Sequence, residues 1–342
     1  MTGVEQRFGT ARLPDGSGVA YALTGRGPFL VLAPGWLTHL ELGWSLPAER
    51  VFHESLSRGR TLVRYDRPGC GMSDPHHGPY TWQLELDTLS AVVEALGADH
   101  VDLMGTSVGA ALAAQWASRH PEAVDHLILY GGWVSGSQIG DPDGREHVMG
   151  LIRAQWGLGS DLLAEIYVPD ADTATRRAYA RYQRESASPQ TAVALLSLAY
   201  SVELEDVLPN VPTPALVLHR DGDRAVPIAQ GRALAAGLPS ARFVELQGRS
   251  HLPAVGDTTA VVRPIRRFLG LSALRESSAV QLTPRQTEVA ALVSDGLTNR
   301  ELATRLGITE RSAESHVERI RLRLGFRSRA QIAAWYAARA EK

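Results

Sequence analysis

Val101-Asp102-Leu103-Met104-Gly105-Thr106-Ser107-Val108-Gly109-Ala110-Ala111-Leu112 decides how the first three quarters of this chain fold. Residues 101–104 are an apolar strand, 105–109 a G-x-S-x-G turn, and 108–119 a helix of small side chains. A strand that turns this sharply into a helix forces its serine into strained backbone geometry. The glycines two residues to either side let neighbouring backbone come close. Ser107 would then present its hydroxyl at a helix N-terminus, where free N–H groups and the dipole favour an oxyanion. The pentapeptide alone occurs by chance in many chains; the strand before it and the helix after it carry the reading.

Outward from this turn, short apolar runs alternate with helical patterns. Runs at 29–33, 61–65, 101–104, 127–130, 215–219 and 242–246 read as strands, with helices at 81–96 and 108–119 between them. That alternation predicts βα units and a mostly parallel sheet covered on both faces. Residues 7–13 and 19–24 flank Pro14-Asp15-Gly16-Ser17-Gly18 and read as an N-terminal hairpin. Residues 135–205 break the rhythm: they carry helical stretches at 146–156, 173–185 and 191–204 and no strand. Such an insertion is most simply a helical lid over the carboxyl ends of the strands.

Two segments could partner Ser107. Leu218-His219-Arg220-Asp221-Gly222-Asp223-Arg224-Ala225-Val226-Pro227 is a strand running into an acidic loop, and Gly248-Arg249-Ser250-His251 follows another strand. The order Ser, Asp, His is the one a strand-turn-helix nucleophile uses. Over residues 5–270 the chain resembles the α/β-hydrolase family. That resemblance places the acid four residues before Pro227, at Asp223 rather than Asp221. It also makes Ala33-Pro34-Gly35-Trp36 the oxyanion loop, with Pro34 where the family usually has His. Because the donors are backbone N–H groups, Trp36 and Val108 can still supply them. Asp66-Arg67-Pro68-Gly69-Cys70-Gly71-Met72-Ser73-Asp74 resembles the family's Gly-rich turn after the next strand.

The chemistry needs these residue types. A serine hydroxyl is a weak nucleophile at neutral pH, so His251 must take its proton and Asp223 must fix the imidazole tautomer. If the triad turns over, it makes a serine hydrolase of carboxylic esters; the residues leave open whether it does. Trp36, Trp133 and Trp156 are expected to wall a small-molecule pocket. The single Cys70, between two glycines, excludes an intrachain disulfide or a cysteine metal cluster. No cofactor and no metal site is expected.

The 342 residues suit one large domain and one small one, and their 44% hydrophobic and 21% charged residues suit a globular core. No run of 18 apolar residues occurs and the first 15 residues do not read as a signal peptide, so the expected address is cytoplasmic with no membrane partner. The net charge of −2 hides an asymmetry: residues 281–342 hold 11 basic and 7 acidic side chains out of totals of 35 and 37. A basic tail on an acidic body fits a nucleic-acid-binding appendage. The expected organisation is a sensor domain over 1–271, a linker over 272–281 and a DNA-binding domain over 282–342.

In that tail, Thr283-Pro284 opens a helix, Gly296 ends it, Thr298 opens the next and Gly307 ends that one. Thr309 opens a third, with Ala313, Val317, Ile320 and Leu324 along one face, and a last helix runs over 330–340. A short helix, a tight turn and a second helix with a polar outer face form a helix-turn-helix. The segment closely resembles the LuxR-type helix-turn-helix, matching "L-T-x-R-Q-x-E-V", "G-x-T-N-x-E-L-A" and "S-x-E-S-H-V". By that resemblance the helix over 310–324 reads bases through Glu314, Ser315 and Glu318, and Asn299, Arg300, Arg311, Arg319 and Arg323 hold phosphates of double-stranded DNA. Glu288 and His316 are expected to hold the domain together.

The two halves together predict a ligand-responsive transcriptional regulator with an α/β-hydrolase-type sensor. The alternatives are a serine esterase with an accessory DNA-binding tail, and a sensor that keeps the triad as scaffold. Because one recognition helix buries too little surface to select a site, a homodimer on DNA is expected.

Overall fold

The computed structural model describes residues 5–272, 282–324 and 328–340. The expected linker falls on residues outside this set, apart from Ser272. Contacts divide the chain into a unit of residues 1–272 and a unit of residues 273–342. Among the described residues no helix is long and apolar enough to cross a membrane.

The alternation of apolar runs and helices builds one eight-stranded sheet. In chain order the elements are β1 (Gln6–Arg12), β2 (Gly18–Gly25), β3 (Phe29–Ala33), α1 (Leu40–Ser45), α2 (Pro47–Ser57), β4 (Thr61–Tyr65), α3 (Trp82–Leu96), β5 (Val101–Thr106), α4 (Val108–Arg119) and β6 (Val124–Tyr130). Four helices follow, α5 (Pro142–Ala154), α6 (Trp156–Tyr167), α7 (Thr173–Ser186) and α8 (Pro189–Tyr200). The unit closes with β7 (Ala215–Arg220), α9 (Ile228–Gly237), β8 (Ala241–Leu246) and α10 (Thr258–Phe268). The strand order is β1-β2-β4-β3-β5-β6-β7-β8. The β1–β2 hairpin and the β2–β4 pair are antiparallel, and every pair beyond β4 is parallel.

The parallel strands are apolar throughout because helices cover both faces. Val31, Leu103, Leu127 and Val217 have no exposed surface. Helix α4 packs on β5 and β6 with α3 beside it, while α2 and α10 pack against each other on the other side. The triad candidates all sit at the carboxyl ends of strands, where an open α/β sheet leaves its crevice.

The lid region holds four helices rather than the three expected. Helix α6 was not legible because Gly157 and Gly159 depress helix propensity; the buried Leu163 and Ala164 override it. The expected third helix over 191–204 stops at Tyr200, and Ser135 then bridges Glu203 to tie the two ends of the insertion together.

The second unit contains α11 (Pro284–Ser294), α12 (Asn299–Leu306), α13 (Glu310–Leu324) and α14 (Arg329–Ala340). Thr283 with Gln286, and Thr298 with Glu301, form complete capping boxes, each satisfying backbone donors at a helix start. Val289, Val293, Leu302, Ala313, Ile320 and Ile332 make its buried core.

Candidate active site and DNA interface

Ser107 has φ 56° and ψ −127°, and among the described residues no other non-glycine residue has a positive φ. The neighbouring glycines explain how the turn is tolerated. A Cβ on Gly105 would lie 2.2 Å from the Gly109 carbonyl oxygen, and one on Gly109 would lie 2.3 Å from that of Ala33. The helix N-terminus therefore closes directly onto the end of β3.

The three expected side chains meet. Ser107 Oγ donates to His251 Nε2 at 2.8 Å, and His251 Nδ1 donates to Asp223 Oδ2 at 2.7 Å. The second oxygen, Asp223 Oδ1, accepts the backbone N–H groups of Ala225 and Val226. Burial alone would raise the Asp223 carboxyl, but the His251 imidazole, His219 and these N–H groups hold it below its ordinary value. Asp221 instead turns away and accepts the Gly248 N–H. His251 is 3% exposed, its backbone N–H donates to the Tyr167 carbonyl, and the Tyr167 ring stands 5.6 Å from the imidazole.

The oxyanion loop is held by a residue whose part the sequence did not reveal. Buried Arg67 donates to the Pro34 and Gly35 carbonyl oxygens and pairs with buried Glu85. Its only sequence signal was its place in the Gly-rich turn after β4. The Trp36 and Val108 N–H groups meet no protein acceptor among the described residues and remain available to a ligand oxygen. Cys70, on the same turn, is buried, and burial pushes its thiol up to about 12, so it is inert at neutral pH.

Two cavities meet at Ser107, His251, Trp36 and Tyr167. The first, of about 160 Å³, runs toward β4, α2 and α7. The second, of about 230 Å³, runs under the lid past Val108, Trp133, Arg145 and Tyr200. Trp36 thus borders both and Trp133 the second. Trp156 borders neither: its ring packs edge-on behind Trp36 at 6.0 Å and its Nε1 donates to the Ala187 carbonyl. It supports the wall rather than forming it, because α6 turns it into the lid core with Ile152 and Leu163. Tyr167 takes the place on the wall that the sequence assigned to a third tryptophan.

In the second unit, Arg311, Glu314, Ser315, Glu318 and Arg319 are exposed along α13, while Ala313 and Ile320 are buried on its opposite side. Glu318 is paired with Arg321 at 2.8 Å, and Arg319 Nε donates to the Ser315 carbonyl. Arg300 is exposed at the start of α12. Asn299, expected on a phosphate, is half-buried, and its side-chain oxygen accepts from Arg329 Nη1 at 2.8 Å, joining α12 to α14. The Arg323 side chain lies outside the described residues. Glu288 pairs with Arg285, whose Nη2 caps the Leu306 carbonyl at the end of α12. Half-buried His316 has an Nδ1 without a partner, and burial together with Arg319 and Arg285 lowers its pKa.

Comparison with known proteins agrees with both halves. A family model of the alpha/beta hydrolase fold matches residues 28–256, and one of bacterial regulatory proteins of the luxR family matches residues 280–336. A pyrrolizixenacetamide deacetylase from Xenorhabdus hominickii is 25% identical, over 73% of this chain and 94% of its own. A 2-hydroxy-6-oxononadienedioate/2-hydroxy-6-oxononatrienedioate hydrolase from Dechloromonas aromatica is 28% identical, over 67% and 79%. Among solved structures, an enol-lactonase from Burkholderia xenovorans superimposes with a TM-score of 0.66 at 23% identity, over 77% of this chain and 100% of its own.

Proposed function

Because the chain belongs to the alpha/beta hydrolase fold family and carries a luxR-family regulatory domain in the same polypeptide, we propose that it is a ligand-responsive transcriptional regulator whose sensor site is the pair of cavities at Ser107. The observation that carries this reading is the covalent union of a hydrolase-fold domain that holds cavities at Ser107 with a luxR-family domain. Ligand binding shifts the sensor, and the shift changes how α13 is offered to DNA. Paired domains on two half-sites give the recognition that one helix cannot, so the working form is a cytoplasmic homodimer on DNA. Glu314, Ser315 and Glu318 face bases, with Arg300, Arg311 and Arg319 on phosphates.

A second reading, turnover at the same site, is favoured by the hydrogen-bonded triad and the two open N–H donors. Ser107 Oγ would attack an ester carbonyl carbon while His251 Nε2 takes its proton. The tetrahedral oxyanion would lie against the Trp36 and Val108 N–H groups. His251 would then protonate the departing alcohol, and water would release the acid by the reverse sequence. An ester-cleavage assay on the wild type and Ser107→Ala separates turnover from binding alone. Linkage tests the regulator: a ligand that changes DNA affinity must have its own affinity changed by operator DNA by the same factor. Equal ligand affinity with and without operator would remove it.

A further inference from the structure

The first cavity continues past the serine to a polar inner wall made by Glu49 and His53 of α2, Arg64 of β4, Asp66, and Tyr179 and Tyr182 of α7. Arg64 is 6% exposed and lies over the Trp44 ring at 5.3 Å. Its Nη2 donates to the Gln6 side chain and its Nε meets no acceptor. Among the described residues no carboxylate oxygen lies within 4.0 Å of this guanidinium. A buried cation without a close counter-charge is costly, and proteins normally pair it. The neighbouring carboxylates are committed elsewhere. Glu49 accepts the Tyr179 hydroxyl at 2.8 Å, and Asp66 Oδ2 accepts the Leu40 and Met72 N–H groups. Burial raises the pKa of both, and they stabilise the Arg64 cation only from beyond ion-pair distance.

Space is left beside the cation. Arg64 Nη1 and Tyr182 Oη both lie 3.8 Å from where a Cβ on Gly43 of α1 would stand. The cavity wall also carries apolar Leu37, Phe52, Ala164 and Leu252. Arg64 pairs in register with Leu32, and Leu32 with Met104, so it stands two strands from the strand that ends at Ser107. That is about 10 Å across the sheet.

We propose that this inner corner is a carboxylate-binding subsite, so that the ligand carries its carbonyl at Ser107 and a free carboxylate at Arg64, separated by a short apolar chain of roughly six carbons. The inference rests on the Ser107 cavities being the ligand site and names the class of ligand they take. A planar guanidinium matches a carboxylate.

The test is calorimetric titration of the full-length Ser107→Ala protein with monomethyl suberate and, separately, dimethyl suberate. The monoester should bind roughly ten- to a hundredfold more tightly, as a hydrogen bond to a charged group contributes. Arg64→Gln should abolish that preference and leave dimethyl suberate affinity within about twofold. Because Arg64→Gln removes a buried cation, Arg64→Lys provides a second variant. Lysine keeps a positive charge at the corner but loses the planar fork, so it should retain a reduced preference for the monoester. Equal affinity of the two probes, or equal weakening of both in Arg64→Gln, overturns the subsite alone. Binding of neither probe overturns the ligand-site reading with it.

Discussion

Ser107→Gly should give a more stable protein than Ser107→Ala. Both variants lose the hydroxyl and its 2.8 Å bond to His251, so that term cancels between them. They differ at the backbone, where φ 56° and ψ −127° suit glycine and strain any residue with a Cβ. Strain of this kind costs about 1–3 kcal/mol. Glycine gives back about 0.4–1 kcal/mol through its freer unfolded chain. The difference favours Ser107→Gly by about 1 kcal/mol, equivalent to roughly 2–4 °C in Tm for a unit of this size. Urea unfolding followed by tryptophan fluorescence, with both variants measured at one pH and a common slope, reads this directly. Equal stabilities, or a more stable Ser107→Ala, would mean that the turn stores no strain and that the serine's geometry has another cause.

Three further outcomes follow from the geometry. Gly109→Ala would drive a Cβ against the Ala33 and Pro34 carbonyl oxygens; unfolding should show a loss of about 1–3 kcal/mol. The displaced oxyanion loop should slow labelling by a serine-directed organophosphonate about a hundredfold. Glu49→Gln tests a half-buried carboxyl whose pKa is raised by desolvation, against the smaller opposing effects of Tyr179 and Arg64. A raised folded value means that stability is fully present below the unfolded value of about 4.3 and is lost as pH rises through the folded value. Relative to the wild type, the Gln variant should therefore gain Tm between pH 4 and pH 8, and a constant difference would contradict the desolvated assignment. Arg311→Ala and Arg319→Ala should each weaken operator binding and lower the slope of log affinity against log salt by about 1, read by fluorescence anisotropy, whereas Glu314→Ala should change the sequence preferred in a selection from random DNA.

What the sequence determined by itself is what local chemistry dictates. The strand, glycine-flanked serine and small-residue helix at 101–112 can form only one kind of turn, and the Thr283 and Thr298 caps mark helix starts through bonds spanning three residues. Ser107, Asp223 and His251 were legible because each closes a strand, and the crevice of a parallel sheet lies where strands end. Tertiary structure decided whatever depends on packing between distant segments. Helix α6 forms despite two glycines because its far side is buried, and that burial puts Tyr167 beside His251 and Trp156 behind Trp36. Asn299, exposed by helical pattern alone, is taken up by Arg329 thirty positions away. The inner corner is furthest from sequence logic: Glu49, Arg64 and Tyr182 belong to three separate elements with no shared periodicity. Only folding brings them around one cavity.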